Sequence, residues 1–179
     1  SDLAGADGAA VWRELQDARA RGVVGKLGVS SYDPARLLEL VERFELELVQ
    51  VPFNLLDRRF FSPELCAAYG RRKVEVHARS VFLQGLFFLK AETLPENLEF
   101  ARPTVERLQE LGLNLPAASL ALALGNERIS KVVVGVTSSA ELAEILSWPV
   151  APLQPELDAE LAGLWKLTSG RVLDPSLWR

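Results

Sequence analysis

The sequence predicts an α/β fold built on a parallel sheet that is covered by helices. Four short apolar segments rich in β-branched residues are typical of strands, and each is followed by a segment with helical spacing of its apolar residues. Apolar runs without alternation indicate buried parallel strands. The 179 residues are 49% hydrophobic, which is enough for one compact core. We expect the strands at residues 23–30, 46–51, 73–78 and 131–134.

The predicted helices carry ordinary start and stop signals. Asp33 and Ser62 each precede a proline, an N-cap followed by the residue that suits the first helical position, and Gly22 supplies a helix stop. We divide the chain into a barrel-like unit, 1–148, and a C-terminal helical tail, 149–179. The expected helices cover residues 9–20, 34–44, 62–70, 98–112, 114–124, 140–146 and 156–167, with a long loop insertion at 80–98.

Composition excludes several classes of function. The formal net charge is -4 with both signs mixed along the chain, so no basic face is available for nucleic acid. No apolar stretch approaches the ~20 residues that cross a bilayer, so we expect no membrane partner. The single cysteine, Cys66, cannot close an internal disulfide, which favours a cytoplasmic setting. Because the first residue is Ser1 and the opening residues read as a loop, we expect a truncated chain.

Four parallel strands are half the number in a (β/α)8 barrel. The connection at 80–98 is the only one longer than a single helix needs, and such barrels build their sites from loops that follow the strands. A half-barrel would leave two sheet edges with unpaired backbone groups. We expect those edges to be covered by an N-terminal half of the barrel or by self-association.

Four short motifs lie at the ends of the predicted strands. They are GVSSY at 28–32, VQVPFN at 49–54, ARSVFLQGL at 78–86 and GVTSS at 135–139. In order and spacing they resemble motifs of the second half of the aldo-keto reductase family, over roughly residues 9–148. The resemblance implies a (β/α)8 TIM-type barrel of which this chain forms strands five to eight.

The same resemblance implies a function and a set of roles. Aldo-keto reductases hold NADP(H) or NAD(H) at the carboxyl ends of the strands and reduce an aldehyde or ketone by hydride transfer. Ser30 and Gln50 would bind the nicotinamide carboxamide, with Ser31 where the family usually has asparagine. The loop from Ser80 would approach the pyrophosphate, and residues 135–139 the adenosine phosphate. Taken alone, the serines would be ordinary strand-end caps. The cofactor residues so implied are Ser30, Ser31, Gln50, Arg79, Ser80, Phe82, Gln84, Gly85, Gly135, Val136, Thr137, Ser138, Ser139, Glu141 and Glu144.

Three further positions depart from the family pattern. Arg79 stands where a tyrosine usually stacks on the nicotinamide, and its charge would meet the oxidised ring unfavourably. Glu141 stands where many members place an arginine for the 2′-phosphate, and a carboxylate repels a phosphate. Ile145 replaces an asparagine, although Glu144 is retained. The choice between NADP and NAD therefore stays open.

No catalytic residue is expected in this chain. The family's acid-base aspartate, tyrosine, lysine and histidine lie on its first four strands, and the tyrosine gives the proton to the carbonyl oxygen. We therefore expect the chain to be inactive without an N-terminal half. The alternative function is a non-catalytic half-barrel that serves as a nucleotide-binding, regulatory or structural subunit.

Other chemistry-bearing residues have ordinary interpretations beside functional ones. His77 is expected to be a hydrogen-bonded barrel-interior residue rather than a catalyst, and Cys66 a packed thiol rather than a reactive one; no metal site is expected. The charged run 57–59 is either a grip for substrate or phosphate or a solvated cluster. Trp178 either packs within the tail or folds over the barrel mouth.

Overall fold

A computed structural model describes residues 2–178 and contains a four-stranded parallel sheet. Ser1 and Arg179 lie outside the described residues, and so does the expectation drawn from Ser1. The strands pair in sequence order, so β1 and β4 form the two ends of the sheet. This arrangement confirms the predicted α/β class with four βα units. The strands are β1 Gly28–Ser30, β2 Leu48–Pro52, β3 Glu75–Arg79 and β4 Lys131–Val132.

The predicted strand bounds were wrong in detail. The first strand does not begin at residue 23: Val23 is 70% exposed, and pairing starts only where Gly28 meets Leu48 of β2. β2 and β3 each begin two residues later than predicted. β4 ends two residues earlier, because its pairing is limited to two positions opposite His77 and Ala78. Strand ends depend on the neighbour that supplies partners, and periodicity does not contain that information.

The helix start signals act as predicted. The side chain of Asp33 accepts hydrogen bonds from the amides of Ala35 and Arg36, and the hydroxyl of Ser62 accepts one from the amide of Leu65. α-Helices lie at α1 Gly8–Ala20, α2 Pro34–Arg43, α3 Pro63–Arg72, α4 Arg102–Gln109, α5 Leu115–Leu124, α6 Ser139–Ser147, α7 Pro155–Leu167 and α8 Gly170–Leu173.

The long insertion is more ordered than a loop. Three 3-10 helices occupy it, and the predicted helix at 98–112 is reduced to α4. Pro103 explains the late start, because proline lacks the N–H that a preceding turn would require and suits the first turn of a helix. The 3-10 helices are Leu83–Phe88, Ala91–Thr93 and Glu96–Ala101.

The strands alternate between two faces, contrary to the expectation of uniformly apolar strands. Val49, Val51 and Val76 are buried in one cluster with side chains of α1 to α3. The intervening residues, among them Gln50 and His77, are half-buried on the opposite face. Polar strand residues therefore share the face that these helices do not cover.

The C-terminal helices pack against the insertion and α4. Leu161 of α7 and Val172 of α8 are buried in the same cluster as Leu86 and Val105. Trp178 packs edge-on against Phe100, with ring centroids 6.4 Å apart, and its indole N–H donates to the carbonyl of Arg171 at 2.9 Å. Trp178 therefore contacts the tail through Arg171 and the insertion side of the chain through Phe100. Within residues 2–178 no helix is long and apolar enough to cross a membrane.

Candidate functional site

A groove opens where the carboxyl ends of the strands meet the loops that follow them. It consists of a cavity of about 590 Å³ and an adjoining one of about 360 Å³, which share Phe82, Phe88 and Gly135. Eight of the fifteen predicted site residues line the first cavity: Ser30, Gln50, Arg79, Ser80, Phe82, Gln84, Gly85 and Gly135. Glu141 and Glu144 line the second. The fold therefore brings ten of the fifteen predicted residues into one groove.

Ser30 and Gln50 lie side by side because they are register partners, Ser30 at the end of β1 and Gln50 in the middle of β2. Ser31 is placed differently. Its hydroxyl donates to the carbonyl of Asp33 at 3.0 Å and accepts from the Asp33 amide at 3.1 Å, which closes the turn before α2. Ser31 does not line either cavity, nor do Val136, Thr137, Ser138 and Ser139.

Arg79 crosses the carboxyl end of the sheet from β3 towards β1. Its Nε donates to Ser30 Oγ at 3.0 Å, and its two terminal nitrogens donate to Ser80 Oγ and to the carbonyl of Ser31, each at 3.2 Å. The guanidinium carbon lies 3.8 Å from the centroid of the Tyr32 ring, which is a close cation–π contact. The side chain is thus held in one orientation inside the groove.

The loop after β3 has an unusual backbone. Ser80, Leu83 and Gln84 have positive φ values of 54°, 45° and 53°, a region that side chains with a Cβ rarely enter, and Gly85 has φ 87°. Local strain of this kind is typical of binding sites. The loop is the wall of the first cavity, so its backbone approaches any ligand bound there.

Asn54 fixes that loop from the neighbouring strand end. Its side chain is fully buried, its amide nitrogen donates to the carbonyl of Ser80 at 3.0 Å, and its oxygen accepts from the amides of Leu56 and Asp57. The sequence showed Asn54 only as one letter of a motif. Its supporting role depends on the contact with β3's loop, which sequence spacing does not show.

Glu141 occupies the amino terminus of α6. Its carboxylate accepts from the amide and the hydroxyl of Thr137, both at 2.7 Å, while the hydroxyl of Ser138 caps the helix by accepting from the Glu141 amide. The hydrogen bonds from Thr137 hold the pKa of Glu141 below its usual value. A negative charge from the chain itself already stands at this helix terminus.

An aromatic wall lines the groove, and Phe82 is the one residue of it that the sequence predicted. Phe82, Phe88 and Trp148 are in mutual contact, with ring centroids 5.4 to 6.3 Å apart. Phe88 is 53% exposed although it is a large apolar residue. Tyr32 was likewise not among the predicted site residues. Tyr32 and Phe82 lie within the strand-end motifs, whereas Phe88 and Trp148 lie outside them, so no motif identifies those two residues.

The charged run 57–59 fits neither of its two interpretations. Asp57 is fully buried and its carboxylate accepts from Nε and Nη2 of Arg59, both at 2.9 Å. Arg58 pairs with Asp158 of α7 at 2.8 Å. These residues therefore brace the loop after β2 and the tail.

His77 is hydrogen-bonded, as expected, and is the third of the five residues of β3. Its Nε2 lies 2.7 Å from Oε1 of Glu75, which also contacts Lys26. Two hydrogen bonds, the more important from Lys26 and the other from His77, lower the pKa of Glu75 to about 2. Cys66 is half-buried in α3. The part of the chain that the structure describes holds no cluster of three metal-ligating side chains.

The arrangement of the groove agrees with a comparison of the sequence with known families. A model of the Aldo/keto reductase family matches residues 7–166, which is most of the chain. The chain belongs to the aldo-keto reductase family. This confirms the resemblance carried by the four strand-end motifs. No curated protein matches the chain at a significant level.

Solved aldo-keto reductases share the fold over part of their length. The chain superposes on aldo-keto reductase AKR11C1 from Bacillus halodurans in its holo form with a TM-score of 0.63 and 21% identity, covering 86% of this chain and 54% of that one. The superposition on the apo form has a TM-score of 0.63 and 21% identity, and it covers 86% of this chain and 55% of that one. The chain also superposes on the thermostable aldo-keto reductase Tm1743, solved with the inhibitor epalrestat. That superposition has a TM-score of 0.58 and 20% identity, and it covers 86% of this chain and 53% of that one. The chain thus spans about half the length of the solved structures it matches.

Proposed function

We propose that this chain is the cofactor-binding half of an NAD(P)-dependent oxidoreductase that reduces an aldehyde or ketone. The observation that carries the proposal is the pairing of Ser30 with Gln50 across the neighbouring strands β1 and β2, inside a groove walled by the strained loop after β3. In this family the nicotinamide dinucleotide supplies the hydride. The described residues supply binding and orientation.

The nicotinamide and pyrophosphate regions of the groove suit such a cofactor. A hydroxyl and a primary amide side by side offer the donors and acceptors that a carboxamide needs. The loop from Ser80 to Gly85 brings its backbone to the cavity, and clustered N–H groups at such turns attract anionic oxygen. Ser30, Gln50 and this loop are the residues that would hold the cofactor.

The adenosine region favours NADH over NADPH. A 2′-phosphate near the start of α6 would meet the Glu141 carboxylate, which already accepts both hydrogen bonds from Thr137. Like charges at contact distance repel, and both donors of Thr137 are already used by Glu141. A ribose hydroxyl carries no charge and can donate to a carboxylate, so this region accepts NADH.

The proton donor must come from elsewhere. The residues that line the first cavity include neither lysine nor histidine, and their one tyrosine, Tyr32, lies under Arg79. We propose that four further βα units complete the barrel and provide the acid-base residues. The β4 end of the sheet offers a surface for them, because Val133, Leu142 and Leu146 are exposed apolar side chains.

A second candidate function is a half-barrel that binds nucleotide without catalysis. Arg79 and Glu141 favour it, because both place a charge where the family's pattern has a different side chain. The two functions differ in what the chain does when a complementary half-barrel of the family is added. Carbonyl-dependent oxidation of NADH by the mixture, and not by the chain alone, would support the enzyme; cofactor binding without turnover in either case would support the alternative.

Titration of the chain with NADH and NADPH tests the cofactor site directly. Trp148 lines the groove, so its fluorescence should be quenched on binding. We expect saturable binding, tighter for NADH, and a relative gain for NADPH in Glu141→Gln. Glu110→Gln, an exposed charge in the turn after α4, is the control. A folded chain that binds neither nucleotide contradicts the proposal.

A further inference from the structure

Arg79 brings a fixed positive charge into the part of the groove proposed for the nicotinamide. Its three recorded hydrogen bonds go to neutral oxygens, those of Ser30, Ser31 and Ser80, and its face rests on the neutral ring of Tyr32. Among the described residues no carboxylate forms an ion pair with it, whereas Arg58, Arg59 and seven other lysine and arginine side chains have one. Its charge is therefore not neutralised locally.

We propose that Arg79 makes this pocket discriminate between the two redox states of the cofactor, so that it binds the reduced dinucleotide more tightly than the oxidised one. The inference rests on the proposed function. The reduced nicotinamide ring is uncharged, and the oxidised ring carries one positive charge. The rest of the dinucleotide is the same in both, so its attraction to Arg79 cancels in the comparison.

The geometry sets the size of the effect. Arg79 Nε lies 3.0 Å from Ser30 Oγ. A carboxamide hydrogen-bonded to that hydroxyl would lie about 3 Å beyond it, which places a nicotinamide roughly 6 Å from the guanidinium. Two positive charges at that separation, in the intermediate dielectric of a protein surface, repel enough to change a dissociation constant roughly tenfold.

Arg79 cannot readily swing away from an incoming cation. Three hydrogen bonds from all three guanidinium nitrogens and the stack on Tyr32 would all be lost together. A guanidinium also cannot lose its proton at ordinary pH. The pocket therefore keeps its charge, and it retains the reduced cofactor more strongly than the oxidised one.

The test is the ratio of dissociation constants for NAD⁺ and NADH, measured by calorimetry on the unmodified chain and on Arg79→Gln. We expect the ratio to fall roughly tenfold in Arg79→Gln and to be largely kept in Arg79→Lys, which retains the charge. Arg43→Gln is the matched control, because Arg43 also stacks on an aromatic ring, Phe44, but lies at the exposed end of α2. Its ratio should not change.

A second measurement needs no substitution. Raising the ionic strength screens charge repulsion in an open groove. The ratio of the NAD⁺ and NADH dissociation constants of the unmodified chain should therefore fall towards one as salt is added. If Arg79→Gln does not fold, the measurements at increasing salt concentration are the deciding test. A ratio of dissociation constants that does not change with salt would then overturn the inference. Binding of both redox forms with an unchanged ratio in a folded Arg79→Gln overturns the inference alone. Failure of the folded, unmodified chain to bind either form overturns it together with the proposed function.

Discussion

The two ends of the sheet differ in how completely the chain covers them. Around β1 to β3, side chains such as Leu37, Val49 and Phe60 are fully buried against α1 to α3. Around β4 and α6, the strand pairs at two positions, and Leu146 is 75% exposed. One end of the sheet therefore has a closed core, and the other end carries an apolar surface that the described residues leave exposed.

The largest expected effect separates these two regions with one kind of substitution. Leu37→Ala should lower the free energy of unfolding by about 3 kcal/mol, because it leaves a cavity in a closed core. Leu146→Ala removes the same atoms from an exposed site and should cost less than about 0.5 kcal/mol. Urea unfolding of the two variants measures both values. Equal losses would mean that α6 is as well packed as α2.

A smaller effect is expected from two asparagines that cap turns in the same way. Asn54→Ala removes three hydrogen bonds from a fully buried side chain and should cost about 2 kcal/mol, with weaker nucleotide binding because the Ser80 loop loses its anchor. Asn126→Ala, in the turn before β4, removes one hydrogen bond from the Arg128 amide. Its loss in the free energy of unfolding should be well below that of Asn54→Ala. Urea midpoints and a nucleotide titration check both. If a folded Asn54→Ala chain binds nucleotide as tightly as the unmodified chain, the loop after β3 keeps its conformation without the hydrogen bond from Asn54.

The smallest expected effect concerns Glu141 and depends on pH. Its folded pKa lies below the usual 4.5, because Thr137 donates two hydrogen bonds to the carboxylate. The stabilisation is therefore fully present above pH 4.5 and is lost as pH falls through the lower, folded pKa. Amide exchange in α6 should be slower in the unmodified chain than in Glu141→Gln at pH 7, and the difference should vanish in acid.

Glu144→Gln is the control for that measurement, because it removes a charge from the same helix without touching the cap. Its α6 protection should differ little from that of the unmodified chain at either pH. A Glu141→Gln difference that persists in acid would show that the side chain acts by packing and not by its charge.

Much of the fold and some of the site follow from local sequence. Asp33 and Ser62 predict helix starts because a capping side chain acts on amides two or three residues away. The strand-end motifs predict Ser30 and Gln50 because parallel strands place their carboxyl ends at one edge. The strand bounds, the 3-10 turns and the braced pair of Asp57 and Arg59 were not predicted, because each depends on a neighbour distant in sequence or on loop geometry.

The α/β class, the order of the βα units, the family and ten residues of the groove could all be predicted from the sequence. Periodicity, caps and short motifs are local, and local interactions suffice for them. The hydrogen bond from Arg79 to Ser30, the stack of Arg79 on Tyr32, the closure of Glu141 on Thr137 and the aromatic wall could be seen only in the folded chain. Those contacts join side chains from separate loops, and their geometry exists only after the strands have paired.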